Sequence, residues 1–402
     1  MLDIKKIRED FPILRSGLVY LDNAASSLTP QSVLRKMMEF YNEYRANVER
    51  GVHRLSQRAS QEFEEAHRKV ASFIHAKSEA EVVMTRNATE GINLVAYGIG
   101  WRKGDRILTT LLEHHSNFIV WLRLKRRLGV EVDLIRPSKE GILDPRAFED
   151  AITDKTRLVA VTHVSNVLGT VTPIHEIAEI AHRYGALLLV DGAQSVPHMP
   201  IDVQRLECDF LAFSGHKMLG PTGIGCLYIR EELLEEIEPL CIGGGTIEEV
   251  TSEGYKLALS PRRFEAGTPA IAEAIGLGAA VDYLQGIGME ALAEHERHIV
   301  EIIHRGLSSI KRVRVFGPED WKLRTSIVSF CIGDLNPHDI ALALDVSANI
   351  MVRSGFHCAM PLHTEVLNER HGTVRASTYL YNTKEEAEAL ISMVEEIARG
   401  LM

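Results

Sequence analysis

Short apolar runs alternate with amphipathic stretches between about residues 79 and 230. The amphipathic stretches Glu90–Tyr97, Phe118–Leu128 and Ile174–Tyr184 repeat their apolar residues at helical spacing. Short strands that alternate with helices are typical of an α/β domain with a mostly parallel sheet. The predicted strands are Val82–Thr85, Arg106–Leu112, Val132–Ile135, Leu158–His163, Ala186–Asp191, Phe210–Ser214 and Gly225–Ile229.

The pattern changes after about residue 270. Two long helices are predicted at Ile271–Gln285 and Met289–Ser309, strands at Val313–Phe316 and Ser326–Ile332, and a closing helix at Lys384–Leu401. We therefore expect a large α/β domain and a smaller α+β domain. The expected division is an N-terminal segment (residues 1–20) that joins the small domain, a large domain (21–270) and a small C-terminal domain (271–402).

Composition excludes several classes of protein. The 402 residues carry a formal net charge of −10, which argues against a nucleic-acid or anionic-membrane surface. The first residues mix charged with single apolar positions, and no apolar run is long enough to span a membrane, so we expect a cytoplasmic protein. The five cysteines are scattered and lack CxxC spacing, so neither a disulfide framework nor a metal site is expected.

Lys217 and Asp191 each lie at the end of a predicted strand. A lysine just past a buried strand can have a lowered pKa and act as an amine nucleophile, although a solvated surface lysine is commoner. Asp191 changes this balance, because a carboxylate that ends an apolar strand needs a partner. The protonated ring nitrogen of pyridoxal 5'-phosphate (PLP) is such a partner. The pair therefore predicts a PLP site in which Lys217 forms the Schiff base.

Two further polar residues follow predicted strands. Thr89 lies in a turn that leads into a helix, where free backbone N–H groups and a hydroxyl can bind phosphate. A simple helix cap is the alternative for Thr89. His114, in a Glu-His-His-Ser run, can stack its flat ring on a flat cofactor, and a structural histidine is the alternative there.

Cys358 lies in the loop-like segment Arg353–Pro361, which also contains Gly, Pro and a neighbouring His. Nearby positive charge lowers the pKa of a thiol and makes the thiolate available as a nucleophile. A buried, inert cysteine is the alternative, and it fits Cys226 and Cys331, which lie in apolar runs. For Cys358 we predict a functional role.

Several motifs occur together in one order along the chain. They are Tyr20–Ala25, Thr162–Thr170, Val190–Gln194, Ser214–Lys217, Arg263–Pro269 and the Arg-x-Gly-x-His-Cys-Ala-x-Pro segment at 353–361. On these motifs the chain resembles fold-type I PLP enzymes of the class V aminotransferase group. Within that group it is similar to the group II (Suf-type) cysteine desulfurases, which are close to selenocysteine lyases. The resemblance runs nearly end to end, and the Cys358 segment separates desulfurases from related aminotransferases.

The resemblance implies a role for each matching position. Lys217 would hold PLP and move the substrate's protons, and Asp191 would pair with the ring nitrogen. His114 would stack on the ring and act in catalysis by assisting protonation. Cys358 would attack the substrate sulfur. The other implied cofactor contacts are Ala88, Thr89, Asn166, Gln194, Ser214 and His216, with Gly267 and Thr268 supplied by a second subunit. The implied substrate contacts are Asn23, Ala24, His53, Asn166, Arg353 and Arg375.

The activity implied by the resemblance is conversion of L-cysteine to L-alanine, with the sulfur held on Cys358 as a persulfide. A homodimer and a sulfur-acceptor protein of iron–sulfur cluster assembly are implied as partners. A selenocysteine lyase acting on L-selenocysteine, a class V aminotransferase and a non-catalytic scaffold are the alternatives. Two positions depart from the family, because Ala88 replaces a frequent threonine and Phe356 replaces a frequent histidine.

Overall fold

The computed structural model describes residues 2–49 and 51–400. In this part of the chain the α-helices are α1 (Ile4–Glu9), α2 (Gln31–Glu39), α3 (Arg54–Phe73), α4 (Ala88–Gly98), α5 (Ile119–Leu128), α6 (Pro145–Ala151), α7 (Ile174–Arg183), α8 (Val203–Leu206), α9 (Ile271–Ile287), α10 (Met289–Ser309), α11 (Pro337–Ala348) and α12 (Lys384–Arg399). The strands are β1 (Val19–Tyr20), β2 (Val82–Thr85), β3 (Arg106–Thr110), β4 (Glu131–Ile135), β5 (Thr156–Thr162), β6 (Leu187–Asp191), β7 (Phe210–Ser214), β8 (Gly225–Ile229), β9 (Ile247–Val250), β10 (Tyr255–Leu257), β11 (Val313–Phe316), β12 (Ile327–Ile332), β13 (Ile350–Met351), β14 (Arg353–Gly355) and β15 (Thr373–Ser377).

A seven-stranded sheet forms the centre of the fold, in the order β2-β8-β7-β6-β5-β3-β4. Strand β8 is antiparallel to both of its neighbours, and the other pairs are parallel. Every residue of β2, β7 and β8 is buried, as is usual where helices cover both faces of a sheet. The predicted α/β class with a mostly parallel seven-stranded sheet is confirmed, and all seven predicted strands lie in it.

A second, four-stranded sheet lies in the C-terminal part of the chain, in the order β11-β12-β15-β14. All of its strand pairs are antiparallel. Buried apolar residues of this sheet form one cluster with those of α10, α11 and α12. Strand β1 pairs in parallel with β13, so the N-terminal segment is attached to this unit. The closing helix ends at Arg399, and its predicted last residue, Leu401, lies outside the described residues.

Helix α9 packs with the large sheet rather than with the small one. Its buried residues share one apolar cluster with the large sheet, and it contacts α2 and α3. Helix α9 is apolar on most of its sides, as is usual for a helix buried on several sides. It has no single apolar face, so the sequence pattern could not predict which sheet it packs against. Helix α9 therefore packs with the large sheet although the predicted division assigns it to the small domain, and the division itself stays a prediction.

The sequence patterns missed several elements. Helix α3 is amphipathic but rich in charged residues, and it covers the large sheet through a stripe that includes Phe63 and Val70. The antiparallel pair β9–β10 is largely exposed and lacks an apolar face that would have identified it. Among residues 2–49 and 51–400, none of the helices combines the length and apolar character needed to cross a membrane.

Candidate active site

A cavity of about 250 Å³ lies at the carboxyl ends of β5, β6 and β7. Thr162, Asp191 and Ser214, the last residues of these strands, all line it. Open α/β sheets bind ligands at this edge, where the turns that follow the strands converge. The predicted site residues that line the cavity are Ala24, Ala88, Thr89, His114, Asn166, Asp191, Gln194, Ser214, His216, Lys217, Arg353, Cys358 and Arg375.

Lys217 and Asp191 lie in this cavity at the ends of adjacent strands. Burial lowers the pKa of Lys217 to about 8, although the charge of Asp191 partly opposes this shift. Burial raises the pKa of Asp191, against a hydrogen bond from the N–H of Ala193 to Oδ1 at 3.0 Å and the charge of Lys217. Keeping either buried group in its charged form without a partner therefore costs free energy. A bound cation would stabilise the Asp191 carboxylate.

Hydroxyl groups and a helix N-terminus form one end of the cavity. Helix α4 begins at Ala88, whose N–H donates to Ser214 Oγ at 2.9 Å. Thr89 Oγ1 lies 2.7 Å from Ser116 Oγ, so Ser116, which the sequence reasoning missed, joins this group. A Cβ on Gly225 would lie 2.6 Å from Asn87 Cα, so glycine is required for the turn to sit against β8. The helix dipole and the hydroxyl groups suit an anion here.

His114 is held in one tautomer by its own turn. The N–H of Ser116 donates to His114 Nδ1 at 3.1 Å, so the neutral ring carries its proton on Nε2. Burial, with a smaller contribution from Lys217, lowers the pKa of His114 to about 3. The preceding Glu113 is fully buried and accepts hydrogen bonds from Thr110 Oγ1 and Asn117 Nδ2, both at 2.7 Å. These bonds anchor the turn that carries the imidazole.

Two arginines that line the cavity lie close to one carboxylate. Arg375 is buried, and its Nη1 donates to the carbonyl oxygen of Asn166 at 2.8 Å. Its Nε is buried without a hydrogen-bond partner among the described residues. Asp22, which the sequence reasoning missed, lies 3.4 Å from both Arg375 Nη2 and Arg353 Nη1. Burial lowers the pKa of Arg375 to about 10, so the guanidinium stays charged at neutral pH and can bind a carboxylate.

Cys358 is exposed and lies on a turn held by the large sheet's loops. The N–H of His115 donates to the Cys358 carbonyl oxygen at 2.6 Å, and His115 Nε2 accepts from the N–H of Met360 at 3.0 Å. Asn166 Nδ2 donates to the carbonyl oxygen of His357 at 2.7 Å. Asn166 thus lines the cavity as predicted, but its amide also holds the cysteine turn, and His115 is a positioning residue that the sequence reasoning missed.

Four predicted site residues lie away from the cavity. Asn23 is buried and donates to the carbonyl oxygen of Ser377 at 2.7 Å, so it ties the N-terminal segment to β15. His53 is exposed and caps α3, where its Nδ1 accepts from a backbone N–H. Gly267 and Thr268 are exposed on a separate loop. Within the described part of a single chain, none of these four residues lines the cavity. Their assigned roles stay predictions.

The cavity residues fit PLP as a cofactor. Asp191 suits the protonated ring nitrogen, the Lys217 amine suits the aldehyde, and the α4 end suits the phosphate. Gln194 Nε2 donates to the carbonyl oxygen of Ala24 at 2.7 Å, whereas Gln194 Oε1 is buried without a partner among the described residues. A buried amide with one unused atom is expected at a site shaped for a polar ligand.

Cysteine desulfurases are similar to this chain over its whole length. A probable cysteine desulfurase of Methanothermobacter thermautotrophicus is 48% identical over 98% of this chain and 97% of its own. A cysteine desulfurase of Escherichia coli is 42% identical over 99% of both chains. The apo structure of cysteine desulfurase from Thermococcus onnurineus superposes with a TM-score of 0.95 at 47% identity, over 100% of this chain and 99% of that one.

A more distant structure shows the cofactor. A C-DES mutant with glycine covalently linked to its PLP cofactor has a TM-score of 0.84 at 26% identity, over 97% of this chain and 99% of that one. The family model that matches is that of the class-V aminotransferases, and it covers residues 19–390. The resemblance read from the motifs is thereby confirmed, with PLP as the cofactor of the family: the chain belongs to the class-V aminotransferase family.

Proposed function

We propose that the chain is a PLP-dependent cysteine desulfurase that converts L-cysteine to L-alanine and transfers the sulfur to Cys358. One observation carries this proposal: the exposed Cys358 lines the same cavity as Lys217, Asp191 and Arg375. The amine, the carboxylate and the guanidinium suffice for PLP and an amino acid. The exposed cysteine adds a nucleophile that can accept a group covalently. The relatives that bear the name cysteine desulfurase support the assignment.

Lys217, Asp191, Thr89, Ser214 and His216 would hold the cofactor. When bound, PLP supplies an electron sink for the electron pair that remains when the substrate loses its Cα proton. Lys217 Nζ takes up that proton. Its pKa of about 8 leaves part of the amine neutral near neutral pH, and the amine can return the proton once it is charged.

Arg375 would bind the carboxylate of L-cysteine. Its guanidinium is buried, stays charged at neutral pH and is braced by Asn166 and Asp22. Charged, preorganised donors hold a carboxylate more strongly than solvated ones because little reorganisation is needed. The half-exposed Arg353 lines the same cavity as Cys358 and contacts Asp22 as Arg375 does.

Sulfur transfer is a displacement at the substrate sulfur. The Cys358 thiolate attacks the sulfur of bound cysteine, an S–S bond forms, and the Cβ–S bond breaks with its electron pair left on Cβ. Protonation of Cβ and return of the Cα proton from Lys217 Nζ then give alanine, and the enzyme keeps a persulfide on Cys358. The neutral His114, whose proton lies on Nε2, packs beside the reacting groups without adding charge.

Replacement of the two exposed cysteines tests this proposal. We expect Cys358→Ser to lose persulfide formation and alanine release from L-cysteine, whereas Cys241→Ser, at the other exposed cysteine among the described residues, keeps both. Mass spectrometry of the intact protein and an alanine assay measure the two products. Equal persulfide formation in the wild type and in Cys358→Ser would contradict the assignment.

A selenocysteine lyase is the second candidate, because the same cavity accepts L-selenocysteine. Selenium can leave without help from Cys358, so an activity on L-selenocysteine that survives in Cys358→Ser, with a faster wild-type rate on that substrate, would favour the lyase. An aminotransferase would consume an α-keto acid and would be indifferent to Cys358. Alanine release and persulfide formation, each measured with L-cysteine and with L-selenocysteine, separate the three activities.

The remaining parts of the proposal concern partners. The exposed loop with Gly267 and Thr268 lies outside the cavity of its own chain, which suits a homodimer in which each loop completes the partner's phosphate site. A persulfide on an exposed cysteine suits transfer to a sulfur-acceptor protein for iron–sulfur cluster assembly. A cytoplasmic location, where thiols stay reduced, fits this chemistry.

A further inference from the structure

The turn that carries Cys358 has an unfavourable backbone. His357 and Cys358 have φ angles of 48° and 56°, so two consecutive residues with side chains adopt the left-handed conformation. Such residues are uncommon, and they persist only where surrounding contacts hold them. Backbone contacts from Asn166 and His115 account for part of this restraint. A buried group of side chains on the opposite side supplies the rest.

Thr373, the first residue of β15, is the centre of that group. Its Oγ1 lies 3.0 Å from His357 Nε2 and 3.2 Å from His363 Nε2. His363 Nδ1 lies 2.9 Å from the carbonyl oxygen of Ala359. Thr373 and His363 are fully buried, and His357 is nearly so. A single hydroxyl therefore joins two imidazoles in a dry environment.

The proton positions in this group follow from the chemistry of its acceptors. A carbonyl oxygen only accepts, so His363 Nδ1 carries a proton, and Nε2 of the neutral ring is an acceptor. Thr373 has one proton to donate and gives it to His363 Nε2. His357 Nε2 then has to donate to Thr373 Oγ1. Burial lowers the pKa of both histidines, which agrees with neutral rings.

The resulting series of hydrogen bonds links the two residues that flank the nucleophile. It starts at the side chain of His357, passes through Thr373 and His363, and ends at the carbonyl oxygen of Ala359. These two end points are the residues immediately before and after Cys358. This series of bonds therefore restrains both neighbours of the cysteine while the cysteine itself stays exposed.

We propose that Thr373 is a positioning residue whose hydroxyl, through His357 and His363, fixes the turn of Cys358 and sets the rate of sulfur transfer. The proposal rests on the proposed function, since it concerns the step in which Cys358 attacks the substrate sulfur. Thr373 does not line the cavity and lies on a different element from the residues that hold the cofactor. Arg375, which would bind the substrate carboxylate, is on the same strand, but the Thr373 hydroxyl lies against His357 and His363. Loss of its hydroxyl should therefore change the sulfur-transfer step and leave cofactor and substrate binding unchanged.

Thr373→Val removes the hydroxyl with little change of shape, and Thr373→Ser keeps it. We expect kcat for persulfide formation from L-cysteine to fall about tenfold or more in Thr373→Val, because two buried hydrogen bonds are lost. KM for L-cysteine and the PLP absorption band should stay at wild-type values. Thr373→Ser should restore kcat to within about threefold of wild type.

His363→Phe is a second variant that preserves an aromatic ring against Phe356 and removes both of its hydrogen bonds. It should reproduce the kcat defect with an unchanged PLP band. An unaltered kcat in Thr373→Val, or a parallel change of KM and of the PLP band, would overturn the proposal. Absence of any persulfide in the wild type would instead reject the proposed function, so the two failures are distinguishable.

Discussion

His198 Nδ1 lies 2.9 Å from Glu296 Oε1, and both side chains are almost fully buried. His198 belongs to the segment that follows Asp191, whereas Glu296 lies on α10. The hydroxyl of Tyr379 donates to the carbonyl oxygen of Pro197 at 3.0 Å, and its ring packs against His198. A buried polar contact thus joins the segment behind the cofactor site to the C-terminal unit.

Loss of this contact should destabilise the fold. We expect Glu296→Ala to lower the free energy of unfolding by about 1–3 kcal/mol, because a buried imidazole nitrogen loses its hydrogen-bond partner. The matched control is Glu388→Ala, which breaks the exposed pair with Lys384 on α12 and should change stability little. Urea unfolding followed by circular dichroism measures both. Equal midpoints for the two variants would contradict the role of the buried pair.

The amine of Lys217 should make cofactor uptake depend on pH. Burial lowers its pKa from an ordinary value of 10.5 to about 8, and only the neutral amine attacks the PLP aldehyde. The rate at which the apoprotein takes up PLP should therefore rise with pH through a midpoint near 8. Stopped-flow absorbance across this range measures the midpoint.

Asp191 supplies a control for the same measurement. Its negative charge raises the pKa of Lys217, so Asp191→Asn should move the midpoint of PLP uptake to lower pH. A midpoint that stays near the value of a solvated lysine in the wild type would show that the amine is not buried in solution.

Substrate affinity should depend on the guanidinium of Arg375. In Arg375→Lys we expect KM for L-cysteine to rise about tenfold or more, because an ammonium cannot offer two parallel N–H donors. Arg353→Lys, at a half-exposed position on the same wall, should have a smaller effect. Steady-state kinetics with the PLP band as a loading control tests both, and equal effects would argue against Arg375 as the carboxylate anchor.

A shared active site should be visible in hybrid dimers. Lys217→Ala subunits lack the amine, and Thr268→Glu subunits should repel the phosphate of the partner's cofactor. Each variant should be inactive as a homodimer. In a hybrid, one site contains the intact Lys217 of one subunit and the intact Thr268 of the other. We expect mixed and refolded subunits to recover activity, and no recovery would contradict the contribution of this loop to a second subunit.

Strand ends were predictable because their signal is local. An apolar run that stops at a polar residue marks both the strand and a candidate functional position, and this contrast singled out Asp191 and Lys217, whereas Ser214 was named through the family resemblance. The helix α9 was predicted but its packing against the large sheet was not, and the pair β9–β10 was missed, because α9 is buried on several sides and β9–β10 is largely exposed. Neither has the contrast of apolar and polar positions that identifies an element's surroundings.

Residue types and their order were enough to predict the α/β class and a PLP cofactor, and they singled out Lys217, Asp191 and Cys358, which the fold brings into one cavity. Each of these depends on residue type and on position relative to a nearby strand or motif. The contact of Asp22 with Arg375 and the link from His357 through Thr373 to His363 become visible only in the folded chain. Such partners are far apart in the chain, and their hydrogen bonds exist only where packing brings the atoms within about 3 Å and excludes water.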